Sequence, residues 1–314
     1  MLLDLLIFVA GLVILYLGAE WLVRGAASLA LEYGIRPLVV GLTVVALGTS
    51  MPEFVLNFFA VLSNEDSLAL GNIVGSNICN IALILGTSAV VLPLTVAPGT
   101  LKREYAIMLL VTGVFYLVAL DGVISQLDGL LLVAGLVAFV GYLIVDSRRR
   151  TEPPIPPAED LPQAPGWKKA LMLLGGVTFL AVGAHLMVTA AQSIAHQMGI
   201  DPVVVGLTVL AVGTSLPELA ASVVSAIKKE ADLSVGNVLG SNMLNVLFVV
   251  GLLALFKPMT VEPAAIQIHF PVMIAFSVLL FPLAWTGYRI SRLEGGMLLT
   301  GFVGYIAYLV MPYV

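Results

Sequence analysis

Two glutamates stand where the chain is otherwise apolar. Glu53 closes the stretch GIRPLVVGLTVVALGTSMPE (34–53), and Glu218 closes GIDPVVVGLTVLAVGTSLPE (199–218). The offset is 165 residues, and fifteen of the twenty positions are identical. The register continues without a gap into GNIVGSNICN (71–80) and GNVLGSNMLN (236–245). Carboxylate, hydroxyl, amide and backbone carbonyl oxygens are the donors that hard cations such as Ca²⁺ and Na⁺ select. A charge inside a membrane span costs at least about 2.5 kcal/mol and needs a partner. Two copies of such a motif therefore point to one site at a repeat interface.

Each copy supplies its oxygens in a definite order. Pro52 has no amide hydrogen, and its ring crowds the carbonyl of Gly48, so the helix is expected to break near 48–52. That would free carbonyls near Ala46 and Thr49 beside the hydroxyls of Thr49 and Ser50 and the carboxylate of Glu53. The second copy repeats the set as Ala211, Thr214, Ser215, Pro217 and Glu218. Ser50-x-x-Glu53 also has capping-box spacing, which would make these residues a mere helix restart; a duplicated buried carboxylate favours the site. Ser76 and Asn80 share a helical face, as do Ser241 and Asn245, and all four are ligand candidates. Asn72, Asn77, Asn237 and Asn242 read at least as well as interhelical glue. Gly71 and Gly75, like Gly236 and Gly240, form surfaces on which backbones can approach closely.

Other residues read as structure. Glu20 has Arg24 one turn later and is expected to pair with it. His185 aligns with Glu20 at the same offset and reads as a hydrogen-bonded structural histidine ahead of a proton relay. Met172, Met187, Met198 and the aromatic residues read as packing and interfacial anchors, with Tyr305, Tyr308 and Tyr313 fitting an aromatic belt near the outer surface. Cys79 is the single cysteine, which excludes an internal disulfide and leaves a packing role. Phosphate loops, metal-finger spacings and basic nucleic-acid stripes are absent from the sequence.

These residues need elements to hold them. The chain is 60% hydrophobic and 11% charged, with a mean hydropathy of +1.08, a composition that soluble domains rarely show. Apolar runs of bilayer-spanning length occur at about 3–30, 37–62, 67–93, 104–120, 127–146, 168–195, 202–227, 232–256, 267–285 and 293–312. The expected fold is an all-α polytopic membrane protein of ten transmembrane helices. The first span lacks a basic leader and is too long for a signal peptide, so it is expected to be retained.

Basic residues orient the spans. Arg36, Lys102, Arg103, Arg148, Arg149, Arg150, Lys168, Lys169, Lys228, Lys229, Arg289 and Arg292 fall on odd-numbered loops, against Lys257 alone on the even ones. The positive-inside rule then makes odd loops cytoplasmic and both termini extracytoplasmic. The Pro- and charge-rich segment 148–166 reads as a cytoplasmic linker. It separates a first five-helix repeat (1–147) from a second (167–314). Five spans per half force the second repeat to enter the membrane inverted, an architecture of secondary transporters, with broken helices at the ion site.

The paired GTSxPE segments, each followed by GNxxGSNxxN, resemble the two alpha-repeats of the sodium/calcium exchanger family, within the cation/calcium exchanger superfamily. The likeness covers nearly the whole chain. It implies that Glu53 and Glu218 are central carboxylates shared by Ca²⁺ and Na⁺ and that Thr49 and Thr214 contribute to the Ca²⁺ site. It further implies that Ala46, Ser76, Ala211 and Ser241 help form flanking Na⁺ sites, with Ser50 and Ser215 nearby. In the family, the first and sixth spans slide against the remaining core. One departure stands out: many relatives carry Asp at the position of Asn245, whereas this chain has Asn in both halves. The central charge is then −2 with both glutamates ionised, which argues against K⁺ dependence.

The function implied is a secondary antiporter exchanging Na⁺ for Ca²⁺ by alternating access, electrogenic if a third Na⁺ binds neutral oxygens. Ca²⁺/H⁺ exchange and a K⁺-dependent variant are the alternatives, followed by a cation channel and an intramembrane hydrolase. Ca²⁺ and Na⁺ enter as transported substrates, with no organic cofactor. The expected partners are small inorganic cations and the bilayer of the cell's inner or plasma membrane, with no nucleic acid, and a monomer is expected to suffice.

Overall fold

The computed structural model describes residues 1–149, 165–199 and 211–311. Most of the expected linker, the start of the seventh expected span and Tyr313 lie outside the described residues. In lipid every backbone polar group must be satisfied within its own segment, so long apolar runs become helices. Among the described residues eight are long and apolar enough to span: α1 (Leu2–Tyr33), α2 (Pro37–Leu62), α3 (Asp66–Val91), α5 (Gln126–Arg149), α6 (Gly166–Gln197), α8 (Ala231–Phe256), α9 (Ala265–Tyr288) and α10 (Arg292–Val310). The remaining two expected spans are represented by α4 (Glu104–Ala119), 16 residues long, and α7 (Leu216–Ile227), behind the short turn Ala211–Thr214.

The expected helix break occurs in one half only. In the second copy Ser215 leaves helical geometry (φ −90°, ψ 6°) between Ala211–Thr214 and α7. Pro217 then falls in the first turn of α7, where a missing amide hydrogen costs nothing. In the first copy α2 runs on through Pro52. Its irregularity lies upstream, as a π-helical turn at Gly41–Val45. That turn presses onto α8, where a Cβ on Gly41 would come within 2.9 Å of the Leu233 carbonyl oxygen. Similar π turns open at Asn80 and at Asn245, 165 residues apart.

α1 and α6 form an antiparallel pair in glycine-to-glycine contact. A Cβ on Gly183 would lie 2.6 Å from the Leu15 nitrogen, and one on Gly18 would lie 2.7 Å from the Leu180 nitrogen. Lys169 bridges to Glu32 (2.5 Å) near one end of the pair, and the Met1 amine reaches Gln197 (2.7 Å) at the other. The pair forms a small apolar cluster with parts of α2, α7 and α8, and a larger core joins α2–α5 with α7–α10.

The loops meet in the parity expected of them. β1 (Leu94–Thr95), after α3, pairs antiparallel with β4 (Arg289–Ile290), before α10. β2 (Val123–Ile124), after α4, pairs with β3 (Met259–Thr260), after α8. Odd loops thus join odd, and even join even. Lys257 agrees, reaching Asp66 and Asn64 at 3.1 Å each across two even loops. So does Arg36, which lies 3.4 Å from Asp146 and 3.6 Å from buried Glu104 on the odd side.

Candidate cation site between the repeats

Glu53, on α2, and Glu218, in the first turn of α7, are 1% and 0% exposed. The two carboxyl groups adjoin, with Ser76 and Ser215 beside Glu53 and with Ser50 and Thr49 beside Glu218. Ser50 donates to Glu218 Oε1 (2.9 Å), and Ser215 donates to Glu53 Oε1 (3.4 Å). Each serine therefore serves the glutamate of the opposite repeat. That removes the capping-box reading: Ser50 lies within a continuous helix, and Ser215 makes no side-chain cap bond. Reciprocal capping of this kind is made instead by Ser291 with Glu294, at the start of α10, and by Ser125 with Asp128, at the start of α5.

The second layer of contacts obeys the same offset. Thr49 donates to Asn237 (3.2 Å) and Thr214 to Asn72 (3.1 Å). Asn80 donates to Asn242 (2.9 Å) and Asn245 to Asn77 (3.1 Å). Asn72, Asn77, Asn237 and Asn242 are thus engaged in binding the halves to each other. Ala46 is fully buried, and its carbonyl accepts from Thr49 Oγ1 (3.3 Å). Of Ala211 the backbone, at the start of its short helix, is described.

What is left over is a set of oxygens. Glu53 Oε2, Glu218 Oε2, Ser76 Oγ, Ser241 Oγ, Asn80 Oδ1 and Asn245 Oδ1 are buried with no hydrogen-bond partner. They are three pairs, each related by 165 residues. A buried polar atom without a partner is costly, and a cation is what six such oxygens suit. Among the described residues no group of three or more His, Cys, Asp or Glu could hold a metal. A site here draws on neutral oxygens to complete its shell.

Several side chains depart from expectation. Asn57 and Ser222, missed in the sequence, tie in the glutamate-bearing helices: Asn72 donates to Asn57 (3.2 Å) and Asn237 to Ser222 (2.9 Å). Their signal was present, since each lies four residues after a site glutamate and 165 from the other. Glu20 does pair with Arg24 (2.6 Å), and Lys228 also reaches it (3.3 Å). His185 is exposed on α6 and makes no hydrogen bond, because α6 turns its glycines, not this face, towards α1. Met187 and Cys79 are buried as expected, whereas Met198, past the end of α6, is 66% exposed. Tyr308 is exposed, while Tyr305 is partly buried and hydrogen-bonds His269 Nδ1 (2.9 Å).

A family model described as sodium/calcium exchanger protein matches residues 3–145 and again 168–311. The chain belongs to the sodium/calcium exchanger family. It is 37% identical over 314 residues to the putative antiporter CaxA of Alkalimonas amylolytica, covering 97% of this chain and 98% of that one. It is 31% identical over 343 residues to the sodium/calcium exchanger MaX1 of Methanosarcina acetivorans, covering 98% of each. Among solved structures, the sodium-calcium exchanger NCX_Mj soaked with 2.5 mM Na⁺ and 1 mM Sr²⁺ superposes with a TM-score of 0.84 at 30% identity, with 98% of both chains covered. Exchangers of this family are integral membrane ion transporters rather than enzymes, and the apolar helices of this chain agree with that.

Proposed function

We propose that this protein exchanges Na⁺ for Ca²⁺ across the membrane by alternating access, through a site centred on Glu53 and Glu218. The observation that carries the reading is the set of six buried oxygens without donors, paired across the repeats. Ser50, Ser215, Thr49 and Thr214 line the same site, and the carbonyls of Ala46 and Ala211 lie one turn before them. The halves 1–147 and 167–314 are the two inverted repeats, joined by a cytoplasmic linker at 148–166, with both termini outside.

The mechanism follows from charge. Two glutamates are neutralised by one Ca²⁺ or by two Na⁺, and a third Na⁺ on neutral oxygens makes the exchange electrogenic. Unneutralised, the pair is expensive to carry across the bilayer, so the site crosses loaded. Opposing fluxes are thereby coupled and leak is suppressed. α6, joined to α1 through glycine, borders α2 across an open apolar cleft of about 680 Å³, a packing that supports the sliding of α1 and α6 as a pair.

The test is radiolabelled Ca²⁺ uptake into Na⁺-loaded proteoliposomes. Glu53→Gln and Glu218→Gln should each abolish Na⁺-dependent uptake, because one carboxylate cannot balance a divalent ion. Uptake at the wild-type rate in either variant refutes the assignment.

A further inference from the structure

An amide ligand has a polarity problem that a carboxylate lacks. Asn80 and Asn245 can turn either a carbonyl oxygen or an NH₂ group towards a cation, and only the oxygen is useful. In this chain the choice is made two residues away. Asn80 Nδ2 donates to Asn242 Oδ1 (2.9 Å), and Asn242 Nδ2 points at Met108 Sδ (3.8 Å). In the other half Asn245 Nδ2 donates to Asn77 Oδ1 (3.1 Å), and Asn77 Nδ2 points at Met273 Sδ (3.7 Å) while also donating to the Asn242 carbonyl oxygen (3.5 Å), so that here the thioether shares the choice with a backbone acceptor. Met108, on α4, and Met273, on α9, are 165 residues apart and fully buried.

A thioether has no hydrogen to give and accepts only weakly. The amide group facing it must therefore be the NH₂ of Asn242 or Asn77. Each of those amides then presents its oxygen to the next asparagine, which must answer with its own NH₂. Asn80 Oδ1 and Asn245 Oδ1 are what remain, buried and without a donor. A serine, threonine or glutamine in place of either methionine could both donate and accept, and would leave the polarity open.

We propose that Met108 and Met273 are positioning residues that fix which atom of Asn80 and Asn245 faces the transported cation. This rests on the site reading above, in which those two oxygens are ligands. Neither methionine touches the cation; each acts through one amide on another.

The experiment compares Ca²⁺ half-saturation and maximal rate in proteoliposomes for wild type, Met108→Leu and Met273→Leu. Leucine keeps the volume and removes the acceptor. Met108→Leu should raise the half-saturation concentration about two- to tenfold, the range of a sulfur contact, with the maximal rate unchanged; Met273→Leu should raise it less, because the Asn242 carbonyl still holds the Asn77 NH₂. The same changes are then made in Asn80→Asp and Asn245→Asp proteins respectively. A carboxylate accepts at both oxygens, so the neighbouring amide must reverse, and the methionine loses its role. Met108→Leu should then have no further effect in Asn80→Asp, nor Met273→Leu in Asn245→Asp. An unchanged half-saturation in both single variants, an equal loss in the Asp backgrounds, or a failure of both leucine proteins to fold marks a packing role and overturns the proposal. Failure of the underlying site reading looks different: wild type shows no Na⁺-dependent uptake, or Glu53→Gln retains it.

Discussion

Ser76 and Ser241 distinguish a ligand from a structural side chain at the residue scale. Both hydroxyls are buried and unpartnered in the folded protein. Deleting an unpartnered polar atom costs the fold little, whereas deleting a ligand oxygen removes about 1–2 kcal/mol of binding. Ser76→Ala and Ser241→Ala should each weaken cation binding about five- to thirtyfold, read by isothermal titration with Na⁺ and Ca²⁺ in detergent. The melting temperature of the ion-free protein should not fall. A lower melting temperature with unchanged affinity would make these serines packing residues. At this scale duplication marked the polar residues that the fold buries: both glutamates, both serine pairs and the asparagines at 77, 80, 242 and 245 recur at one offset. The direction of each hydrogen bond was not legible. Ser50 and Ser215 have a local capping-box partner in the sequence, and only the tertiary crossing of repeats shows them serving the distant glutamate. Met108 and Met273 look like ordinary apolar filling until an amide is seen facing each sulfur.

Elements show where local chemistry was overridden. Pro52 and Pro217 occupy matching motifs, yet Pro217 starts a helix and Pro52 sits inside one. Upstream of Pro52, α2 carries a π turn against α8, a device that no residue pattern in the motif announces. Helix positions were legible because bilayer thickness sets their length. The glycine seam between α1 and α6 gives the element-scale prediction. Gly183→Ala puts a methyl 2.6 Å from the Leu15 nitrogen and 2.8 Å from the Gly11 carbonyl. Backbone cannot move aside as a side chain can, so the helices must part, at a cost of about 1–3 kcal/mol. Thermal melting in detergent should show that loss for Gly183→Ala. Gly141→Ala, which meets nothing within 4 Å, should melt like wild type or slightly above it. Equal behaviour of the two would mean that the seam is not tightly packed.

For the whole molecule, inverted repetition turns one motif into a site with two equivalent halves. The strands that join loop to loop, β1 with β4 and β2 with β3, link the repeats on opposite faces. Hydropathy located the eight helices of spanning length among the described residues, and the strand pairing joins odd loops to odd and even to even. Which segments lie against one another was not readable from the sequence, since it depends on how two inverted halves dock. In the site proposed above, Asn80 and Asn245 leave two carboxylates among neutral oxygens, and the proposed exchange of Ca²⁺ for Na⁺ rests on that charge balance. The most direct measurement is radiolabelled Ca²⁺ flux in proteoliposomes under Na⁺, K⁺ and pH gradients imposed one at a time. An outward Na⁺ gradient alone should drive Ca²⁺ accumulation, with an inside-positive potential accelerating and an inside-negative potential retarding it, because three Na⁺ leaving for one Ca²⁺ entering carry one net positive charge outward. Accumulation driven by a pH gradient in the absence of Na⁺, with no response to the Na⁺ gradient, would contradict the account.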